Sequence, residues 1–254
     1  MSAQQPDEAV ARFDARAADY ARYRPSYPPA ALDAILAGLG DPASLAVVDI
    51  GAGTGISSRL LAARGARVVA LEPNAEMRAL ARASGLDARD GLAEATGLPG
   101  ACADVVACFQ SFHWFAHHAA VAELVRLLRP RGRIALVWNE RDDDDPFTFA
   151  YGEIVDRFAD RMALAGFENG PELIARLLAE SGLPRCSRQT FANRQRLDYD
   201  GLLGRVRSTS YAPREGPAYA AMIAGLDELF ARLARDGAIE LVYRTEVYLG
   251  ERSP

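Results

Sequence analysis

The residues with the most chemical content stand close together, in Val47-Val48-Asp49-Ile50-Gly51-Ala52-Gly53-Thr54-Gly55, with Glu72 at the end of the next apolar run. Glycines at a strand-to-helix turn let a ligand approach the backbone, because no Cβ stands in the way. An acid about 20 residues on, at the tip of a second strand, accepts hydrogen bonds from a ribose diol. Together they describe a nucleoside site at the carboxyl edge of a sheet. The plainer alternative is a tight turn with incidental glycines.

The electrostatics of the turn narrow the choice of nucleoside. Dinucleotide sites carry Gly-x-Gly-x-x-Gly and seat a pyrophosphate on the helix N-terminus. Here the spacing is Gly-x-Gly-x-Gly, and Asp49 precedes the first glycine, where its charge repels a phosphate. An acidic loop suits a cationic ligand instead. S-adenosylmethionine has an ammonium, a sulfonium and a ribose for Glu72, so it is the expected cofactor, with S-adenosylhomocysteine as its product.

Other residue types point to the acceptor side. His113, in Gln110-Ser111-Phe112-His113-Trp114-Phe115, is a titratable group able to take a proton from a hydroxyl or amine, or else a structural ring bonded to backbone. Trp114 and Phe115 read as an apolar substrate wall or as lid packing. Tyr20, Tyr23 and Arg24 form a polar-aromatic cluster near the N-terminus. Either the cluster is an exposed face with Arg24 capping carbonyls, or it is a lid in which Arg24 or Tyr20 meets the methionine carboxylate.

The elements that position these residues follow from hydrophobic periodicity. Strands are expected at Leu45–Ile50, Ala66–Leu71, Leu86–Arg89, Asp104–Phe109, Arg133–Trp138 and Ile239–Leu249, with Arg188–Leu197 a further candidate. Helices are expected at Ile56–Arg64, Asn74–Ser84 and Ala119–Leu128, the last stopping at Arg129-Pro130-Arg131-Gly132. Two more are expected in residues 7–40, split by Arg24-Pro25-Ser26-Tyr27-Pro28-Pro29, and most of 145–235 reads as helical. Strands separated by helices of about ten residues imply βαβ units and a parallel sheet. Asp142–Asp145 reads as a solvated loop.

Composition excludes several function classes. The chain has 254 residues, 29 basic and 34 acidic, for a net charge of −5, and half of them are apolar. That length suits one large α/β domain. The basic residues are all arginine, which removes Schiff-base and P-loop lysine chemistry. A mildly acidic chain without a basic cluster is not expected to bind nucleic acid. Cys102, Cys108 and Cys186 show no CxxC spacing, so neither a disulfide framework nor a metal site is expected. The first residues lack an apolar stretch and no run approaches a membrane span, so the expected location is cytoplasmic.

The sequence resembles the class I S-adenosylmethionine-dependent methyltransferases. Asp49–Gly55 matches their first motif, and Glu72-Pro73-Asn74 matches the acidic tip of their second strand. Gly91-Leu92-Ala93-Glu94 looks like their adenine-side loop, with Leu92 where many relatives have aspartate and with the Ala93 amide or Glu94 as the substitute. The resemblance implies that Met77 packs on the adenine, though a core methionine is the alternative. It also implies that Phe109, Gln110 and Ser111 lie beside the methyl donor. Phe13-Asp14, Tyr20, Tyr23-Arg24-Pro25, Tyr27-Pro28, the 110–115 segment and Arg207-Ser208-Thr209-Ser210-Tyr211 resemble a narrower branch, the trans-aconitate-methyltransferase-like enzymes. From the family, the fold implied is a Rossmann-like, seven-stranded, mostly parallel sheet with its last strand antiparallel.

The expectation is therefore one methyltransferase domain acting on a small molecule. Residues 1–40 supply lid helices, 41–141 the cofactor core, 142–235 a mainly helical substrate-side insert and 236–254 the final strand. Tyr23, Tyr27, His113, Trp114, Phe115 and Tyr211 are the expected substrate contacts. The alternatives are a nicotinamide oxidoreductase and a non-catalytic nucleoside-binding module.

Overall fold

The apolar runs and the helical stretches between them build one seven-stranded sheet in the order β3-β2-β1-β4-β5-β7-β6. Its strands are β1 (Ala46–Ile50), β2 (Arg67–Leu71), β3 (Asp87–Arg89), β4 (Ala103–Phe109), β5 (Leu128–Arg141), β6 (Arg185–Leu197) and β7 (Ile239–Glu251). The first five pair in parallel, and β7 runs antiparallel to both β5 and β6. The computed structural model describes residues 17–159, 171–183 and 185–253. Phe13, Asp14 and the start of the first expected helix lie outside these residues.

Alternation along the strands feeds two apolar layers. Val47, Val105 and Val137 face one side, and Val48, Val106 and Leu136 face the other, as the period of two requires. Helix α1 (Ala17–Tyr23) precedes α2 (Pro29–Leu36), which buries Ala31, Leu32, Ile35 and Leu36 on the first side. Helix α3 (Ile56–Ala62) follows the glycine turn, α4 (Ala75–Ala83) follows β2, and α5 (His118–Leu127) follows β4. Ala120, Val121, Leu124 and Leu127 of α5 cover the second side at the i, i+3, i+4 spacing of an amphipathic helix. Among the described residues of the first 40, α1 and the 24–28 segment reach the carboxyl edge where the turn lies. Helix α2 is a core element, so the expected lid is narrower than residues 1–40.

Two strands differ from their expected bounds. β5 begins at Leu128, because Leu128 pairs with Ala103 before a register shift that brings Arg133 opposite Val105. Arg131 takes a left-handed φ of 66° there. A Cβ on Gly132 would stand 3.0 Å from the carbonyls of Arg129 and Asp104, so the presumed helix stop is a tight bulge in a strand. β6 is a full 13-residue edge strand and not a marginal one, with Arg185–Thr190 exposed throughout.

The remaining helices, α6 (Pro146–Arg157), α7 (Pro171–Glu180), α8 (Tyr199–Arg207) and α9 (Gly216–Leu233), flank β6 in the chain. Phe147, Tyr151, Leu202, Val206, Met222 and Leu226 form a third apolar cluster with Leu197, Ile239, Leu241 and Tyr243. The β6–β7 pairs Leu197↔Ile239 to Gln195↔Leu241 lie beyond Arg141, the last β5 residue paired to β7. The cap is thus mounted on the projecting end of a two-stranded ribbon. No described helix is long and apolar enough to cross a membrane.

Candidate active site

The glycine turn is shaped by its neighbours. Gly51, Gly53 and Gly55 have φ of 66°, 58° and 79°, in the left-handed region that disfavours side chains. A Cβ on Gly51 would stand 2.6 Å from Ser111 Cβ, and one on Gly55 would stand 2.4 Å from Leu86 Cδ1. Gly51 N and Ala52 N donate to the Leu71 carbonyl at 2.9 and 3.0 Å, fastening the turn to the end of β2. Ser111 Oγ donates to the Ile50 carbonyl at 2.7 Å, fastening it to the segment after β4.

Glu72 is buried at the tip of β2 and holds the same turn. Its Oε2 accepts from Gly53 N at 2.7 Å and its Oε1 from Asn74 N at 2.8 Å. Burial raises its pKa, while the two amides and Arg78 lower it. Pro73 leads into α4, where Asn74 Oδ1 caps the helix by accepting from Met77 N at 2.8 Å. Met77 is buried, and its sulfur lies 3.6 Å from where a Cβ on Gly53 would project. Both readings of Met77 therefore share one place, a buried methionine lining the turn.

Asp49 is fully buried at the end of β1. Its Oδ2 accepts from Ser57 Oγ and Ser58 Oγ of α3, each at 2.6 Å, while Oδ1 has no partner. Burial raises its pKa to about 6, and the two serine bonds pull against that shift. Thr54 Oγ1 and Arg24 Nε are also buried without a hydrogen-bond partner. Buried polar atoms are normally bonded, so three orphans around one turn point to a polar ligand. Their chemistry, an acceptor from Asp49 and a donor from Arg24, fits a molecule carrying both an ammonium and a carboxylate.

Helix α1 and residues 24–28 pack over this turn. Tyr20, Arg24, Pro25, Tyr27, Gly51, Ala52, Phe109, Gln110 and Asn139 line one narrow cleft. Tyr20 Cε1 lies 3.7 Å from the Cβ position on Gly53, and the Arg24 guanidinium lies over the Tyr20 ring at 4.7 Å. The Arg24 side chain is thus packed into the cleft rather than on helix carbonyls. Tyr27 meets Phe109 edge-on at 4.7 Å. The Ser26 carbonyl accepts from Asn139 Nδ2 at 3.1 Å and Asn193 Nδ2 at 2.8 Å, and the Tyr23 carbonyl accepts from Gln195 Nε2 at 2.9 Å. Three side-chain amides from β5 and β6 therefore latch the segment. Sequence reading missed all three, since isolated amides in strands carry no spacing signal.

Gln110, just after β4, has a φ of 52°, a strained conformation for a non-glycine residue. Gln110 N donates to the Val137 carbonyl at 2.8 Å and Nε2 to the Asn139 carbonyl at 3.1 Å. The next residues form a short 3-10 turn, Phe112–Trp114, leaving His113, Trp114 and Phe115 half-buried. His113 Nδ1 accepts from Trp138 Nε1 at 3.4 Å. Burial and the nearby Arg24 charge lower its pKa to about 3, which makes the ring a poor base at neutral pH.

In the loop after β3, Ala93 is buried, whereas Leu92 and Glu94 are exposed and Gly91 is half-buried. Tyr211 is half-buried beside α8, in the cap. A larger cavity of about 490 Å³ opens at the amino ends of β1–β3, lined by Val47, Arg67, Val69, Leu86, Leu98 and Cys102 among others. Ligands of open α/β sheets sit at the carboxyl ends, so the narrow cleft is the candidate site. Among the described residues, no group of three or more His, Cys, Asp or Glu is placed to hold a metal ion.

Residues 48–136, which carry the turn, Glu72 and β4, match the methyltransferase domain family. An uncharacterized methyltransferase of Mycobacterium tuberculosis is 40% identical over 150 residues, 58% of this chain and 60% of the relative. The aligned part thus spans about 60% of that relative's length. An uncharacterized methyltransferase of Schizosaccharomyces pombe is 28% identical over 251 residues, 95% of this chain and 97% of the relative. The YcgJ protein of Bacillus subtilis shares the fold, with a TM-score of 0.58 at 18% identity over 89% of this chain and 99% of its own. With this strand order and this turn around it, the 48–136 stretch makes the chain similar to methyltransferase domains.

Proposed function

We propose that the protein binds S-adenosylmethionine in the cleft and directs its methyl group to a small-molecule acceptor. The observation that carries this reading is the set of orphaned buried atoms, Asp49 Oδ1, Thr54 Oγ1 and Arg24 Nε, around the glycine turn. The cofactor supplies an electrophilic methyl on a sulfonium. Asp49 faces its ammonium, Arg24 with Tyr20 faces its carboxylate, and Glu72 beside Pro73 accepts from its ribose. Gly51, Ala52, Gly53, Thr54 and Gly55 give the close backbone approach, and Met77 with Gly91–Glu94 borders the adenine. Phe109, Gln110 and Ser111 border the methyl.

Holding an acceptor in line with the methyl supplies roughly 7–11 kcal/mol of the barrier by positioning alone. Tyr23, Tyr27, His113, Trp114, Phe115 and Tyr211 provide that positioning. His113, held at about 3, acts as a neutral positioning group rather than as the base. The chain works as one domain: 41–141 binds the cofactor, the N-terminal segment closes over it, and 142–235 shapes the acceptor side. A cytoplasmic enzyme without a nucleic-acid partner is the reading we adopt.

Calorimetry tests the cofactor: S-adenosylmethionine and S-adenosylhomocysteine bind, and NAD and NADP do not. Tight NADP binding would falsify the reading in favour of an oxidoreductase, and turnover on no acceptor would favour a binding module. Hydrogen exchange tests the lid. Exchange over residues 17–28 slows when S-adenosylhomocysteine is added, because the ligand joins the segment to the turn. Equal exchange with and without ligand makes the segment a fixed element.

A further inference from the structure

Three neighbouring strands change character at the same level of the sheet. On the face that α2 covers, Ala135 and Val137 of β5, Val247 and Leu249 of β7 and Phe191 of β6 pack in one apolar layer. Two residues nearer the cap stand Asn139, Thr245 and Asn193 in their place, with Asn139 opposite Thr245 in the β5–β7 register. Asn139 and Thr245 are buried and Asn193 is half-buried. A buried amide in a strand is unfavourable unless its hydrogen bonds are remade inside the protein. The bonds these three make all lead to one segment.

Asn139 Oδ1 accepts from Thr245 Oγ1 at 2.5 Å and from Asn193 Nδ2 at 3.1 Å. Asn139 Nδ2 and Asn193 Nδ2 both donate to the Ser26 carbonyl, at 3.1 and 2.8 Å. That carbonyl can only accept, and Arg194 N, which donates to Asn193 Oδ1 at 2.9 Å, can only donate, so each amide has one orientation. Two side chains thus converge on one backbone atom of a segment in which Pro25 and Pro28 offer no N–H of their own. Three residues earlier, the Tyr23 carbonyl is held by Gln195 Nε2 at 2.9 Å. Arg24 lies between these two pinned carbonyls, with its guanidinium over the Tyr20 ring and its Nε buried without a partner. Where the carbonyls are held therefore sets where the guanidinium points.

We propose that Asn139 and Asn193 are positioning residues: by pinning the Ser26 carbonyl they set the Arg24 guanidinium against the carboxylate of the cofactor. The proposal rests on the cofactor reading above. Both Oδ1 atoms are engaged and Asn193 Nδ2 serves two acceptors, so the pair acts through the 24–28 segment rather than on the ligand. Its influence is confined to the amino-acid end of the cofactor. The nucleoside end rests on Glu72 and the glycine turn, which the pair does not touch.

The test compares two ligands of the full chain by calorimetry. S-adenosylhomocysteine carries the carboxylate, and methylthioadenosine has the same nucleoside but ends before the amino acid. Asn139→Ala and Asn193→Ala each weaken S-adenosylhomocysteine roughly 5–20-fold and leave methylthioadenosine within about twofold of wild type. Asn139→Asp still accepts from Thr245 and Asn193 but cannot donate to Ser26, and it weakens S-adenosylhomocysteine at least as much. Arg24→Gln produces the same selective loss, and adding Asn139→Ala to it changes the affinity by less than about twofold, because both act on one contact. Equal weakening of the two ligands makes the amides merely structural and overturns the proposal. So does wild-type S-adenosylhomocysteine affinity in both alanine variants, or a fully additive double variant. If Asn139→Ala does not fold, Asn193→Ala, on the edge strand, decides by the same ratio. Failure of the cofactor reading shows separately, as a wild-type chain that binds neither ligand.

Discussion

Glu72→Ala lowers the affinity for S-adenosylhomocysteine by about 2–4 kcal/mol, or roughly 30- to 1000-fold. Two losses add in this variant. The ribose hydroxyls lose a charged acceptor, and Gly53 N loses the 2.7 Å bond that fixes the turn under the ligand. Asn74 N at 2.8 Å is released as well, at the entry to α4. Glu72→Gln separates the two effects, since its amide oxygen retains one of the acceptor positions, and its affinity falls between wild type and alanine. Calorimetry on the three proteins measures this order. An unchanged dissociation constant in Glu72→Ala removes the residue from the site.

Asp49→Asn stabilises the free protein at neutral pH and weakens cofactor binding. The folded carboxyl holds its proton up to about pH 6, against 3.8 for an ordinary aspartate. The native state therefore binds more protons than the unfolded chain between these values, and stability falls as pH rises from about 4 to above 6. The gap between 3.8 and about 6 sets an upper bound of ~3 kcal/mol on that loss. Asparagine removes the charge while keeping an oxygen for Ser57 and Ser58. Thermal melts thus show a higher Tm for the variant at pH 7.5, and the gap narrows at pH 4.5. The ammonium loses its counter-charge, so cofactor affinity drops roughly 10–100-fold. Wild-type affinity itself declines on acidification through pH 6. A variant that melts lower at pH 7.5 yet binds the cofactor normally contradicts this role for Asp49.

The glycine turn and the acid at the tip of β2 were legible because they lie in local patterns. Val47–Ile50 is an apolar run interrupted only by Asp49, and three glycines follow in alternate positions. The parallel βαβ units followed from the same alternation of runs and helices, and the antiparallel last strand from the family resemblance. The start of β5 was hidden because Arg129-Pro130-Arg131-Gly132 has the composition of a stop signal. Only pairing of Leu128 with Ala103, distant in sequence, turns it into a bulged strand. β6 was faint because an exposed edge strand, Arg185-Cys186-Ser187-Arg188-Gln189-Thr190, has no apolar face to betray a period of two. The burial of Arg205 was hidden for a different reason. Charges on a helix usually mark its solvated side, yet Gly201, Leu202, Arg205 and Val206 share the buried face. A lone arginine within an apolar stripe was the available signal.

The ribbon that carries the cap separates two kinds of inheritance. β6 and β7 have 13 residues each, roughly 43 Å of chain, against about 17 Å for the five-residue β1 and β2. The cluster on the ribbon's far end contains none of the buried side chains that pack the two faces of the sheet. Substitutions among Tyr151, Leu202, Met222 and Leu226 therefore reshape the cap while the register of β1, β2 and β4 stays as it is. Descendants of such a chain can drift in the cap, helix by helix, above a sheet core that selection keeps constant.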